Sequence, residues 1–444
     1  MNFSLVNLGC KVNRVETDSF GAYLLSQGLT NSTLEDADIV IVNTCTVTGD
    51  AEKKTRKAVR RALRTATKAR IIITGCACAI NPDFYEGLSS RISVVAKGSV
   101  LSFLEEYLSD QNEEHYVKKQ RNQAANSALA STPNVQGYSL KNATPSATTL
   151  INQAGIKRVG EAFPTRVSVK IQDGCNHACT YCIVHVARGR AWSRDAHSII
   201  SEVSNLALQG VKEIVLTGID LGSYYFQGMR LSDLLETLLE KIPDVRFRIS
   251  SIEPCSVDKN LAHLLGQAQG RICKHLHLPL QAGSNKVLTE MNRPYSKEKF
   301  KEVCNLLHSE VDWLSLTTDC IVGFPGETYD EFQETCDLAQ EIGFSKIHVF
   351  RYSKREGTPA ALRLDQVSEE EKNKRAQELL RLSGELRISF AQSLLGHTEQ
   401  VIVEKTGLGM TESYYHMSVP EAYKPGNCYD MCLRSIDTEG VFHE

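Results

Sequence analysis

The stretch Asp173-Gly-Cys-Asn-His-Ala-Cys-Thr-Tyr-Cys-Ile183 follows directly on the alternating apolar run 167–171. It sets Cys175, Cys179 and Cys182 in a C-x3-C-x2-C loop at the mouth of a predicted strand. Iron–sulfur clusters are ordinarily held by four cysteine thiolates. A loop that supplies three, with no fourth partner nearby, leaves one iron open to another ligand. Two plainer readings of the same residues are buried cysteines acting as small hydrophobes and part of a zinc site. Zinc usually takes paired C-x2-C ligands in closed tetrahedra, and no second pair follows at zinc-finger spacing.

The first hundred residues repeat one pattern. The apolar run 3–8 ends in Gly9-Cys10 and leads into a predicted helix over about 13–27. The run 38–43 ends in Thr44-Cys45 before a helix over about 50–68, and the run 70–74 ends in Gly75-Cys76. Such β-α-β-α alternation with near-continuous apolar strands predicts an open parallel sheet, whose sites form beyond the carboxyl ends of its strands. Cys10, Cys45 and Cys76 therefore converge on one edge and make a second three-thiolate site; the alternative is three buried core cysteines. Cys78 reads as a bystander.

The Cys175 loop, with Tyr181 just before its last cysteine, resembles the signature loop of the radical S-adenosylmethionine (SAM) enzymes. Taken with Leu8-Gly-Cys-Lys-Val-Asn13, Asn43-Thr-Cys45 and Thr74-Gly-Cys76, in that order, the chain resembles the methylthiotransferases. The likeness continues through Leu216-Thr-Gly-Ile-Asp-Leu-Gly-Ser223, Ser250-Ser-Ile-Glu-Pro254, His277-Leu-Pro-Leu-Gln-Ala-Gly-Ser284 and Met291-Asn-Arg293. It extends to Asp319-Cys-Ile-Val-Gly-Phe-Pro-Gly-Glu-Thr328, Phe350-Arg-Tyr-Ser353 and Arg355-Glu-Gly-Thr-Pro-Ala360. The resemblance implies two [4Fe–4S] clusters, one on Cys175, Cys179 and Cys182, the other on Cys10, Cys45 and Cys76. It implies that SAM chelates the open iron of the first cluster and is cleaved there to a 5′-deoxyadenosyl radical. A second SAM methylates sulfur held at the other cluster, and the methylthio group passes to carbon 2 of a modified adenosine at position 37 of a tRNA. The cofactors carry the chemistry, so no side chain is singled out as catalytic.

Within that family, Gly218-Ile-Asp-Leu-Gly-Ser-Tyr224 and Ile171-Gln-Asp-Gly-Cys175 look closest to the branch acting on N6-threonylcarbamoyladenosine. The branch acting on N6-isopentenyladenosine is the runner-up, and a third modifies an aspartate of a ribosomal protein. An RNA-binding module on an inactive barrel is the non-enzymatic reading. The implied partners are the anticodon loop of tRNA and a reductant such as a flavodoxin-like electron donor.

From about 164 to 382 the chain alternates strands (167–171, 213–216, 246–250, 275–280, 315–322 and 346–351) with helices such as 198–208 and 231–241. Six βα units suggest an incomplete parallel barrel, the fold that the resemblance implies, with its chemistry at the carboxyl ends of the strands. Gly218 is placed for the methionine end of SAM, Ser251, Glu253 and Gln281 for its ribose or amino acid portion, and Tyr181 for the adenine. Their plainer roles are a turn for Gly218 and an ion pair with Arg248 or another cation for Glu253. The segment Gly323-Phe-Pro-Gly-Glu327 reads as a structural turn.

The expected fold class is α/β: an N-terminal open parallel sheet (1–110), a linker (111–160), a partial (βα)6 radical SAM barrel (161–395) and a small all-β, TRAM-like RNA-binding domain (396–444). The linker is rich in Gln, Asn, Ser, Ala and Thr. The last segment is short for a full barrel; Tyr414, Tyr415 and His416 either stack on exposed bases or pack a small core, and Cys428 and Cys432 read as structural. Lys53, Lys57, Arg60, Arg61, Arg64 and Lys68 form a basic helix face, either merely solvated or a phosphate rail for RNA. The 444-residue chain is 42% hydrophobic and 23% charged with a net charge of −3, which describes a soluble globular protein with no global nucleic-acid signal. No run approaches the roughly 18 apolar residues of a membrane span, and no secretion signal is evident. Fourteen cysteines in such a chain argue for a reducing, cytoplasmic setting and for thiolates on metal.

Overall fold

The protein is described by a computed structural model over residues 1–117 (side chains to 110), 165–268, 270–438 and 440–444. Most of the stretch read as a linker lies outside the described residues; its beginning continues a helix, Val100–Val117. The chain divides into two compact units.

The first unit is built on five parallel strands, β1 (Asn2–Asn7), β2 (Thr30–Asn31), β3 (Ile39–Thr44), β4 (Arg70–Gly75) and β5 (Ile92–Val94), in the order β2–β1–β3–β4–β5. Strand β3 is buried along its whole length because helices cover both faces of the sheet. Val40, Val42, Ile71 and Ile73 pack on Val59 and Ala62 of the helix Gly49–Thr65, while Ile39, Ile41 and Ile72 meet Phe20, Leu24 and Leu104. The central strands finish in register, Asn7 opposite Asn43 and Asn43 opposite Thr74. The edge strands β2 and β5 were not foreseen; at two and three residues they are too short to show a period.

The second unit holds six parallel strands in chain order: β6 (Arg166–Lys170), β7 (Glu213–Thr217), β8 (Arg246–Ile249), β9 (His275–His277), β10 (Ser315–Val322) and β11 (Lys346–Arg351). Single parallel bridges, Phe247 to Ile272 and Ser251 to His277, join β8 to the β9 edge, giving the incomplete barrel. Strand β9 stops short of the expected residue 280. Pro279 has no N–H to continue the ladder, and Gln281 then takes a φ of 68°. Residues alternate across the wall: Ile214 and Leu216 join the apolar layer under the helices, whereas Glu213 and Val215 face the other way.

Inside that wall lies a buried charge cluster. Glu213 accepts from Arg246 Nε (2.9 Å) and Nη2 (2.7 Å) and from Arg248 Nε (2.7 Å). The guanidiniums have donors left over, and these go to main-chain carbonyls of the last domain: Gln400 (2.7 Å), Thr411 (3.1 Å) and Glu412 (2.8 Å). That domain is a six-stranded sheet, β12 (Thr398–Lys405), β13 (Leu408–Met410), β14 (His416–Ser418), β15 (Cys428–Cys432), β16 (Ser435–Ile436) and β17 (Phe442–His443), in the order β15–β12–β13–β14–β17–β16. Its own core includes Val401, Val403, Tyr415, Met417, Met431 and Phe442. No helix among the described residues is long and apolar enough to cross a membrane.

Burial pushes the Glu213 carboxyl up, but Arg248 and Arg246 outweigh it and hold the pKa at about 2. The stability this group contributes is therefore present above the ordinary glutamate range and is lost as pH falls toward about 2. Replacing Glu213 by Gln leaves two buried guanidiniums uncompensated, so a loss of about 3–5 kcal/mol is expected at neutral pH. Denaturant unfolding of the two proteins should show this gap narrowing once the pH drops below the ordinary glutamate pKa; a gap that does not change with pH would contradict the ion-pair account.

Candidate active site

The three-cysteine loop is shaped by what precedes it. Gln172 and Asp173 pair with Ser193 and Trp192 in a short antiparallel ribbon that closes the base of the loop. Gly174 has a φ of 72°, and a Cβ there would lie 2.1 Å from the Arg190 carbonyl oxygen, so only glycine fits. The buried Asp173 accepts from Lys170 (3.1 Å), Arg188 (2.8 Å) and the Gly174 amide (2.8 Å). Burial alone would raise its pKa, but Lys170 and Arg188 prevail and hold the carboxyl well below the usual range. The Gln172 side chain is a two-way tie. Its Oε1 accepts from the Ile219 and Asp220 amides (3.0 and 2.9 Å), and its Nε2 donates to the carbonyls of Asp173 and Gly174 and to Ser223 Oγ.

The sulfurs have donors aimed at them. His177 N approaches Cys175 Sγ at 3.4 Å, Val184 N approaches Cys182 Sγ at 3.4 Å, and Arg293 Nη1 lies 3.2 Å from Cys179 Sγ. None of the three is in a disulfide. Burial pushes the Cys175 thiol up to about 12 and raises Cys182 as well. Such thiols keep their protons until a cation replaces them. Three thiols on one loop, with amide and guanidinium donors ready for the negative charge of a thiolate-held cluster, fit an iron–sulfur group. The Cys175, His177 and Asp220 donor atoms also lie within 4.8 Å of one another, with His177 Nε2 at 3.4 Å from Asp220 Oδ2.

The residues expected around SAM fall into two groups. Tyr181 and Glu253 come to the cysteines through Arg293, which is paired with Glu253 and acts electrostatically on both Tyr181 and Cys179. Arg293 is thus the cation that Glu253 needed; Arg248 is committed to Glu213. Gly218 sits against Gln172, whose Oε1 would be 2.8 Å from a Cβ at that position. Ser251 is bridged to His277, and Gln281 lies beyond β9, with its backbone bonded to Asp319 and Ile321 (2.8 and 2.9 Å). In the turn 323–327, Glu327 accepts from the Gly323 amide and pairs with Arg375 at 2.8 Å, as a structural element would. Arg293, Gln172, Arg188 and Asp220 were not singled out from the sequence, although Gln172, Asp220 and Arg293 stand inside motifs quoted for the resemblance.

The other cysteines follow the carboxyl ends of β1, β3 and β4. In the first unit, Gly75 has a φ of 100°, and a Cβ on it would lie 2.4 Å from the Thr44 carbonyl oxygen. Thr44 Oγ1 donates to the Thr74 carbonyl (2.6 Å) and accepts from the Ala77 amide (3.2 Å), fixing the turn that carries Cys76. Lys97 Nζ lies 2.9 Å from Cys76 Sγ. The buried Cys78 thiol instead turns back on the Gly75 carbonyl at 3.3 Å. The segments 9–15 and 45–53 belong to the second unit. There a Cβ on Gly9 would lie 2.7 Å from Cys45 Sγ, Cys10 Sγ faces Asn13 Oδ1 at 3.8 Å, and Arg188 donates to the same Asn13 oxygen. Arg355 bonds Thr46 and pairs with Glu52 at 2.7 Å, and Ser353 Oγ accepts from the Gly49 amide at 3.1 Å. The motif around residues 350–360 thus anchors the chain that follows Cys45.

Of the two readings of Tyr415, packing in a small core is the one that holds. Tyr415 cannot stack on RNA bases, because it is fully buried in the sheet's core and its hydroxyl donates to the Arg387 carbonyl at 2.9 Å. Tyr414 points the other way, under the cations Lys11, Arg166 and Arg248, and only His416 is exposed. Both tyrosines precede β14 in a turn, where the left-handed backbone of Tyr414 (φ 69°) turns the neighbouring rings apart. The basic face of the helix Gly49–Thr65 is solvent-exposed at Lys53, Lys57, Arg60, Arg61 and Arg64, and Lys68 follows the helix end.

The sequence profile of the radical SAM superfamily matches residues 169–339, and that of UPF0004, an uncharacterized protein family, matches residues 2–96. A threonylcarbamoyladenosine tRNA methylthiotransferase, MtaB, of Bacillus subtilis (strain 168) is 36% identical over 405 residues, spanning 90% of this chain and 84% of its own. MtaB of Thermotoga maritima is 31% identical over 442 residues, 98% of this chain and 94% of its own. A tRNA-2-methylthio-N(6)-dimethylallyladenosine synthase of Pelotomaculum thermopropionicum is 33% identical over 408 residues, 90% of this chain and 86% of its own. Among solved structures, the radical SAM methyltransferase TsrM of Kitasatospora setae shares the fold, with a TM-score of 0.55 at 14% identity over 81% of this chain and 74% of its own. The chain belongs to the radical SAM methylthiotransferase family. It is an enzyme, and its cofactors are SAM and [4Fe–4S] clusters.

Gly174→Ala tests the loop geometry. The added methyl would collide with the Arg190 carbonyl and displace Cys175. Anaerobically reconstituted protein should fall from about eight irons per chain to about four, with its circular dichroism unchanged. Full iron content in this variant would show that the Gly174 turn does not set the geometry of the cluster loop.

Proposed function

We propose that this enzyme adds a methylthio group to carbon 2 of N6-threonylcarbamoyladenosine at position 37 of a tRNA. The observation that carries this reading is the pairing of two three-cysteine sets, one in the loop after β6 and one at the ends of β1, β3 and β4, in a chain similar to named MtaB proteins over nearly its whole length. Cys175, Cys179 and Cys182 would hold one [4Fe–4S] cluster, and Cys10, Cys45 and Cys76 the other. When bound, these groups with SAM supply hydrogen abstraction from carbon 2 and the sulfur that replaces that hydrogen. The chain's own residues position and tune. Arg293 and the amides of His177 and Val184 stabilise charge on the first sulfur set. Lys97 does so at Cys76. Gln172 and Gly218 set the strand ends against one another, while Tyr181, Ser251, Glu253 and Gln281 line the SAM side.

The basic face of the helix Gly49–Thr65 suits the phosphates of an anticodon stem-loop, whose single-stranded loop can present the base. A one-electron donor such as a flavodoxin-like protein would feed the cluster, and a cytoplasmic setting follows from the substrate. The isopentenyladenosine reading is supported by the similarity to dimethylallyladenosine synthases and is the second choice.

Mass analysis of digested tRNA tests the choice. A deletion strain complemented with the wild-type gene should regain methylthiolated threonylcarbamoyladenosine, and complementation with Cys179→Ala or with Cys45→Ala should each fail. Restoration of methylthiolated isopentenyladenosine in its place would move the assignment to the other branch.

A further inference from the structure

Inside the second unit a cavity of about 500 Å³ opens between β6, β7 and the last domain. Its lining includes Lys11, Arg166, Lys405, Glu404 and Tyr414, with Ser168 and Val215 from the inner side of the barrel wall. Cations predominate. Arg166 is paired with Glu404 at 2.6 Å, and Lys405 lies beside it in sequence. Lys11 has no carboxylate partner among the described residues, and its ammonium faces the Tyr414 ring at 5.7 Å. The Arg166 and Arg248 guanidiniums face the same ring at 5.5 and 4.9 Å. Burial would raise the Tyr414 phenol's pKa, yet Lys11, Arg166 and Arg248 together bring it below its ordinary value, which reports the positive potential there. Tyr414 itself sits at a φ of 69°, unusual for a residue with a side chain.

Like charges gathered in a partly closed space repel unless an anion joins them. We propose that this cavity receives the carboxylate of the threonylcarbamoyl group, with Lys11 as its principal cation and the Tyr414 hydroxyl as a hydrogen-bond donor. The inference rests on the substrate reading above and adds the residues that choose between substrates. An isopentenyl group carries neither charge nor hydrogen-bonding atom, so seating it here would strip water from Lys11 and return nothing. A phosphate of the RNA backbone shares the anionic chemistry, but the inner-wall position beside Ser168 and Val215 favours a substituent of the base itself.

The test is binding of reconstituted holoenzyme to three anticodon stem-loop RNAs, measured by fluorescence anisotropy. One carries threonylcarbamoyladenosine, one its threonyl methyl ester and one unmodified adenosine. The wild type should prefer the free carboxylate over the ester by about tenfold, as a hydrogen bond to a charged group commonly gives. Lys11→Met should erase that preference while its affinity for the unmodified loop and its iron content match the wild type. Lys405→Met and Tyr414→Phe, neither of them next to a cluster cysteine in sequence, should each reduce it. A wild type without the preference overturns the proposal, as does an equal loss by Lys11→Met on all three RNAs, the result expected of a phosphate contact. Methylthiolation by the wild type is followed on the same RNAs. A protein that discriminates in binding yet modifies none of them keeps the cavity assignment and refutes the reaction assignment.

Discussion

Everything at the mouth of the barrel depends on one buried side-chain amide. Gln172 stands where β6 gives way to the three-cysteine loop, and each of its polar atoms is engaged. By accepting from two amides of the next strand's loop and donating into its own, it makes the ends of β6 and β7 one rigid piece. Gly218 is a glycine because that side chain passes within van der Waals distance of it. Asp173 and Arg188 extend the same network to Asn13, three residues beyond Cys10. A radical enzyme gains from such rigidity, since a reactive species tolerates little misplacement of its target.

The barrel has two chemically distinct surfaces on each strand. The side under the helices is the continuous apolar layer of leucines, isoleucines and phenylalanines. The inner side is polar: Glu213, Arg246 and Arg248, then His275 against Tyr414, then His277, whose Nε2 lies 3.3 Å from Asp319 Oδ1. Burying so many polar groups is costly unless each is matched, and they are matched largely by one another and by carbonyls of the last domain.

Much of this was legible in the sequence because it is local. Apolar runs flanked by turn residues marked the central strands of the N-terminal sheet, since strands covered on both faces carry no polar alternation to blur them, and alternation such as that of Arg166–Lys170 marked the barrel strands. The cysteines were legible by their place after those runs. What escaped was pairing at long range: nothing near Glu253 announces that its partner is Arg293, or that Arg248 is taken by Glu213. Tyr415 escaped for a related reason. Tyr414 and Tyr415 stand in the turn before β14, and the left-handed backbone at Tyr414 that sends the two rings apart is not announced by the residues around it. The motif at 353–355 was visible as a likeness, but its purpose, holding Gly49, Thr46 and Glu52, appears only once those segments meet.

The guanidiniums of Arg246 and Arg248 end on main-chain oxygens contributed by residues 400, 411 and 412. The last fifty residues are therefore a stopper seated in the barrel's base, more than an accessory hung on it for RNA. A chain cut short at residue 395 would leave those cations facing an opened void, so a nonsense codon anywhere in that final stretch should be felt as misfolding before it is felt as weakened grip on RNA.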